Sequence, residues 1–257
     1  MGSLIAVRDL KKHYPVARSL KDLVRGKRPA VKALDGVSFA VSEGESVGLL
    51  GESGCGKTTT GRLIVKLEEP TAGTIAVDGK PVSRLKGRAL KAYRKDAQLV
   101  FQNPFDALNP RLTIERSLRE PLVNFGVPKA EFADRIAAVM EKVKLPRVAE
   151  TLPKYPHQLS GGQLQRVVLA RAIMLGPRFI VADEPVSMLD VSVRAGILNL
   201  MRDIQEASAL GAIYISHDSR SSATSRSARS SCISAASWRT GRRRRSCCGR
   251  STPTPRR

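Results

Sequence analysis

The stretch that most constrains this chain is Gly51-Glu-Ser-Gly-Cys-Gly-Lys57-Thr58, set between the apolar "ESVGLL" and the helical "GRLIVKL". It fits G-x-x-x-x-G-K-[ST]. Its glycines let the backbone curl until successive N–H groups converge on phosphate oxygens. The helix that follows adds its positive N-terminal end. Lys57 would reach the β- and γ-phosphates of a nucleotide, and Thr58 would ligate Mg²⁺. Cys55, inside the loop, reads as a small filler rather than a reactive thiol. A strand before and a helix after are the context the motif needs, and they commit the chain to an α/β fold.

The rest of the chain agrees. Residues 4–10 and 37–50 read as strands, with the basic 16–31 as a loop between them. "GTIAVDGKPV" carries strand and turn signals, with Asp78-Gly79 at the turn, and "DAQLVFQNP" is a strand stopped by Asn103-Pro104. Phe132, Ile136, Val139, Met140 and Val143 recur at helical spacing and mark one apolar face. "QLQRVVLARAIML" (163–175) is a second helix. "RFIVAD" and "GAIYIS" have the length of buried strands, and their alternation with helix argues for a mostly parallel sheet covered by helices.

"FIVADEP" delivers Asp183 and Glu184 to the C-terminal edge of such a sheet, where ligands of open α/β sheets bind. Asp183 could hold Mg²⁺ through water, and Glu184 is placed to polarise an attacking water as general base. An isolated Asp-Glu pair would merely end a strand; a phosphate loop upstream gives it a purpose. In "LSGGQ" (159–163), Ser160 and Gln163 form a capping box that opens a helix. Two glycines in its first turn weaken that helix unless the backbone must approach something, and a phosphate bound there would explain them.

In this order, the phosphate loop, Gln102 in "FQNP", "LSGGQ", "FIVADEP", "SMLD" (187–190) and His217 in "ISHD" resemble the ATP-binding cassette (ABC) ATPases over residues 4–218. "GESGCGKTT", "FQNPFDALNPRLTI", "YPHQLSGGQLQRVVLARA" and "DEPVSMLDVSV" are most similar to the ATPase subunits of oligopeptide and dipeptide importers. The resemblance implies an ABC ATPase core with a mostly parallel sheet, an antiparallel β subdomain and a helical subdomain at about 103–175. It also implies roles. Gly51, Glu52, Ser53, Gly54, Cys55, Gly56, Lys57, Thr58 and Thr59 would cradle ATP. Tyr14 would stack on the adenine. Gln102 would sense Mg²⁺ or the attacking water and couple to membrane subunits. His217 would contact the γ-phosphate. Ser160, Gly161, Gly162 and Gln163 would close over ATP bound to a second ATPase subunit, with Asp190 at that interface. Met188 stands where the family has a small residue and Asn103 where Asp is common; neither removes a catalytic group.

The partners so implied are transmembrane permease subunits, a second ATPase subunit and, indirectly, a periplasmic or extracellular substrate-binding protein. No apolar run reaches the roughly 18 residues of a membrane span, and "MGSLIAVRDLKKHYP" lacks the apolar stretch of a signal peptide. The expectation is a peripheral protein on the cytoplasmic face of the inner membrane. The cysteine spacing suggests neither a disulfide framework nor zinc. The net charge of +21 would suit a soluble ABC ATPase acting on nucleic acid, but residues 219–257 hold 11 arginines and no acid. The other 218 residues carry 33 basic against 23 acidic side chains, still basic and in keeping with a solvated surface; the single cassette and the importer-like motifs oppose the nucleic-acid alternative, and no such partner is expected.

After Asp218 the resemblance stops. Residues 219–257 are mostly Ser and Arg, a composition that points to disorder. Back-translated with GC-rich codons and read one frame over, "CISAASWRTGRRRRSC" can give "MYLGRIVEDGPTEEVL", and "STPTPRR" can give "HPYTQA". Both look like segments of the importer ATPases. The tail therefore reads as frameshifted, and the chain as a possible product of a damaged gene whose ATP-site motifs survive.

Overall fold

The computed structural model describes residues 3–16 and 30–216 of the chain. His217 and the tail 219–257 lie outside the described residues. Two four-stranded sheets organise the fold. The first is antiparallel, in the order β2-β1-β4-β5, from β1 (Ile5–Pro15), β2 (Ala30–Val41), β4 (Ala72–Val77) and β5 (Lys80–Pro81). The second is parallel, in the order β3-β8-β7-β6, from β3 (Ser46–Leu50), β6 (Ala97–Val100), β7 (Phe179–Asp183) and β8 (Gly211–Ser216). The expected fold class is therefore present, with its antiparallel part as a separate sheet.

The parallel sheet is buried on both faces, which is why its strands read as continuous apolar runs. Along β7 the side chains alternate between two cores. Phe179 and Val181 join Ile5, Leu10, Leu34, Val47 and Leu63, under the antiparallel sheet and helix α1 (Lys57–Ile64). Ile180 and Ala182 join the apolar faces of the helices on the other side. Those helices are α4 (Ile114–Asn124), α5 (Phe132–Lys142), α7 (Gly161–Ile173) and α8 (Val191–Ser208), with short α3 (Pro104–Ala107) and α6 (Val148–Thr151) between them. The expected face of α5 is buried as Phe132, Ile136, Val139 and Met140. Helix α7 packs on β6, α3, α4, α5 and α8, so it ties the helical layer to the sheet. Helix α2 (Gly87–Asp96) leads into β6.

Two details differ from the sequence reading. The 37–50 stretch breaks at Ser42–Glu45, where Glu45 N donates to Ser42 O at 3.2 Å and the Glu45 carboxylate accepts from Ser42 N at 2.7 Å. That turn passes the chain from one sheet to the other. Upstream, β2 begins at Ala30 and pairs with β1 as far as Pro15. Antiparallel pairing recruits residues whose own pattern is too polar to announce a strand. The Asp78-Gly79 turn is as expected: both residues have positive φ, +48° and +73°, as a two-residue hairpin turn of this hand requires.

Candidate nucleotide-binding site

The phosphate loop leaves β3 and enters α1 as anticipated. Gly54 and Gly56 take φ of +76° and +94°. A side chain at Gly56 is excluded twice over: besides its left-handed backbone, a Cβ there would lie 2.2 Å from the carbonyl oxygen of Ala33. Thr60 Oγ1 donates to Gly56 O at 2.9 Å and holds the loop to the first turn of α1. No acidic residue occupies that turn, so the positive end of the helix is uncompensated there. Lys57 is 4% exposed, and its ammonium donates to Gly51 O at 2.7 Å and Glu52 O at 2.9 Å. Its head is thus folded back over the loop, next to the space a phosphate would fill.

That space is a cleft of about 250 Å³ lined by Ser53, Gly54, Gly56, Lys57, Thr58 and Thr59 on one side and Gln102 and Glu184 on the other. Gln102 comes from the end of β6 and Glu184 from the end of β7, 82 residues apart, yet Gln102 Nε2 donates to Glu184 Oε2 at 2.9 Å. Asp183 ends β7 and is 6% exposed. Glu184 follows it at φ +44°, a region that non-glycine residues rarely adopt. Its backbone is over-determined: Glu184 N donates to Ile215 O of β8 at 3.0 Å, and Ser187 closes on Glu184 O through both its N–H and its hydroxyl. Thr58 hydroxyl, Gln102 amide oxygen and the Asp183 and Glu184 carboxylates are all hard oxygen donors, the set that suits Mg²⁺ shared with phosphate oxygens. No cluster of three His, Cys, Asp or Glu side chains able to hold a metal occurs among the described residues.

Tyr14 stands at the end of β1, about a third exposed. Its hydroxyl donates to a Glu68 carboxylate oxygen at 2.5 Å and meets Thr59 of the phosphate loop's helix. Burial of the hydroxyl, then the Glu68 hydrogen bond, raise its pKa above that of an ordinary tyrosine. Lys12 Nζ lies 5.0 Å from the ring centroid. The ring is therefore beside the phosphate loop.

The remaining expected residues lie elsewhere. Ser160 and Gln163 form the capping box: Ser160 Oγ accepts from Gln163 N at 3.3 Å, and Gln163 Oε1 accepts from Ser160 N at 3.1 Å. None of residues 160–163 lines the Lys57 cleft. Asp190 is the exposed N-cap of α8. The glycines have a local reason that the sequence did not show. A Cβ at Gly162 would fall 2.7 Å from Val193 Cγ1, and one at Gly161 would fall 3.3 Å from Leu189 Cδ2, so α7 starts in contact with the "SMLD" loop and α8. Arg194 braces the same loop by donating to Leu189 O at 2.8 Å. Arg194 had no signal in the sequence beyond nearness to the acid pair, and Ser187, though part of "SMLD", gave no sign of its hold on Glu184 O.

With this geometry in place, the chain matches the ABC transporter family over residues 34–187. The chain belongs to that family. It is 45% identical over 216 residues to the dipeptide transport ATP-binding protein DppF of Escherichia coli K12, covering 84% of this chain and 63% of that protein. It is 43% identical over 219 residues to the oligopeptide transport ATP-binding protein AppF of Bacillus subtilis 168, with 84% and 65% covered. The chain thus spans less than two thirds of the length of these relatives. Among solved structures it is similar to the ATP-binding cassette MJ0796 in a dimeric post-hydrolysis state bound to ADP and Pi. The TM-score is 0.72 at 28% identity, covering 85% of this chain and 90% of that one. The importer-like wording of the motifs and the α/β cassette fold are both borne out.

Proposed function

We propose that this ABC ATPase binds and hydrolyses ATP to drive import of oligopeptides or dipeptides through partner permeases. The observation that carries the reading is the 2.9 Å contact of Gln102 with Glu184 across the cleft that Lys57 occupies. It joins a phosphate-binding loop, a candidate base and a residue at the root of the helical subdomain in one site. The names of the relatives support peptide as the cargo.

Lys57 and the loop N–H groups bind the phosphates, and Tyr14 offers its ring to the adenine. Thr58, Gln102 and Asp183 are the candidate Mg²⁺ ligands; the ion, when bound, neutralises charge on the β- and γ-oxygens. Glu184 accepts a proton from the attacking water. His217 is proposed to contact the γ-phosphate and lies outside the described residues. Ser160 to Gln163 and Asp190, remote from the chain's own cleft, serve the nucleotide on a second ATPase subunit, the same or a related chain. Closing of that pair moves the permeases, and hydrolysis resets it. No helix among the described residues is long and apolar enough to cross a membrane, so the permeases supply the path. The unit is proposed as residues 1–218, peripheral on the cytoplasmic face of the inner membrane. Its helical subdomain, at about 103–175, faces the permeases, and a substrate-binding protein delivers the peptide. Residues 219–257 are proposed to be a frameshifted tail.

The test is reconstitution with a peptide-importer permease pair and its binding protein in proteoliposomes. ATP-dependent uptake of labelled dipeptide, absent with Glu184→Gln, is expected. Uptake that does not respond to this chain overturns the transport reading.

A further inference from the structure

Residues 80–95 contain seven basic side chains and no acidic one, and all seven are exposed. Three of them, Arg88, Lys91 and Lys95, fall at i, i+3 and i+7 of α2 and so share one face of that helix. Leu90 and Tyr93 occupy the opposite side, and Tyr93 is the helix's buried anchor. Its hydroxyl donates to Ile64 O, and Arg94 donates to Lys66 O at 3.0 Å, which presses α2 against the end of α1.

None of these three cations makes an ion pair with a described residue. Elsewhere on the helices, cations meet carboxylates: Arg119 with Glu115, Arg135 with Glu131, Lys144 with Asp203. Arg84, Lys86, Arg88 and Lys95 make no ion pair with any described residue. Lys91 and Lys95, four apart, repel each other along the helix. Lys91 instead lies 5.5 Å from the ring centroid of Phe125. Phe125, with Leu99, Phe101, Pro121 and Arg171, lines a groove of about 200 Å³ between the sheet and the helical layer. The basic face therefore borders the part of the surface that the proposed function turns toward the permeases.

We infer that the Arg88, Lys91 and Lys95 face of α2 binds the headgroups of an anionic phospholipid surface beside the permease. The inference rests on the transport reading for its orientation. A lipid surface suits the face better than an acidic protein segment does. The three side chains stand on a convex helix with no cavity among them, and a delocalised negative surface needs none. Long basic side chains near an anionic leaflet each add to its attraction, within about one Debye length.

Flotation of the full-length protein with vesicles of phosphatidylglycerol and phosphatidylcholine tests this, with pure phosphatidylcholine as the comparison. Binding to the anionic vesicles, weakening as salt is raised, is expected. The triple variant Arg88→Gln, Lys91→Gln, Lys95→Gln keeps its circular dichroism and ATP binding but loses at least about tenfold in partitioning. Restoring lysine at all three positions recovers it. Neutralising Arg242 to Arg245 in the tail leaves most of the binding. The inference is overturned if the parent does not bind, if the triple variant binds as the parent does, or if the tail variant alone abolishes binding. It is also overturned if the same three charges prefer duplex DNA to vesicles. Dipeptide uptake with no vesicle binding removes this inference alone; vesicle binding through α2 with no uptake removes the transport reading alone.

Discussion

Gln102 and Glu184, at the ends of neighbouring parallel strands, are joined by a 2.9 Å hydrogen bond over the phosphate loop. The amide N–H₂ can donate only to an acceptor, so the bond orients the carboxylate. Glu184→Gln keeps the side chain's shape and removes the proposed base. ATP affinity is expected to stay within a few-fold, and turnover to fall by roughly 10²–10⁴-fold. Calorimetry and a phosphate-release assay check the two halves. Hydrolysis at the parent's rate would show that Glu184 is not the base.

Lys57→Ala acts on the other side of the cleft. The ammonium is nearly buried against Gly51 O and Glu52 O, and charge-assisted contacts to phosphate of this kind contribute about 1.5–3 kcal/mol. ATP binding is expected to weaken by about 10–100-fold, with little change in melting temperature. An unchanged dissociation constant would remove the loop's assignment.

The reason for Gly162 can be separated from the reason the sequence suggested. Gly162→Ala drives a methyl group to 2.7 Å from Val193 Cγ1, an overpacking expected to cost about 1–3 kcal/mol. If that contact is the whole constraint, adding Val193→Ala restores both the melting temperature and ATP hydrolysis. If the glycine also lets a nucleotide on a second subunit approach, the double variant recovers stability and not hydrolysis. The second outcome is expected, because residues 160–163 stand outside the chain's own cleft.

Why the site was legible before the structure, and its supports were not, follows from chain distance. Gly51 to Thr58 announce themselves because one short loop must supply both a curled backbone and a lysine. The Asp183-Glu184 pair is readable because a buried strand leaves few other places for charge. The turn at Ser42–Glu45, the brace of Arg194 on Leu189 O and the packing of Gly162 on Val193 depend on partners brought together by folding. No local pattern carries those partners. The extension of β1 to Pro15 is the same case, since its pairing with β2 overrides a polar sequence.

A pH response is expected from the contact between the sheets. Arg178 donates to both Asp78 carboxylate oxygens, one of them at 3.1 Å, and lies near Glu43 as well. The Arg178 hydrogen bond, outweighing burial, holds the Asp78 pKa below the usual carboxylate value, with Lys80 adding a little. A depressed carboxylate pKa means stability that is present above the unfolded value of about 3.9 and lost as pH falls through the folded value. Both partners are partly exposed, so the effect is small. Asp78→Asn, which tolerates the positive φ of the turn, is expected to lower the melting temperature at pH 7. The gap to the parent should close below about pH 4. A gap that stays constant down to pH 2 would show that the ion pair does not contribute.

In the parallel sheet β3 is an edge strand among the described residues, so a segment lost after Asp218 could have extended the sheet on that side. The shifted reading of "CISAASWRTGRRRRSC" can give "MYLGRIV", an apolar stretch able to pair as a further strand, where the frame as it stands has Ser and Arg. Trp238 has a single codon, which limits the freedom of the back-translation. Resequencing the gene is expected to show a one-base slip near the Asp218 codon, with an open frame continuing beyond it. The repaired protein should be more soluble and melt at a higher temperature than the present chain, since uncovered edges and apolar faces promote aggregation. Early stop codons in the other frame would show that the Ser/Arg tail is the gene's true sequence; a repaired protein no more stable than this one would show that the lost segment does not support the core.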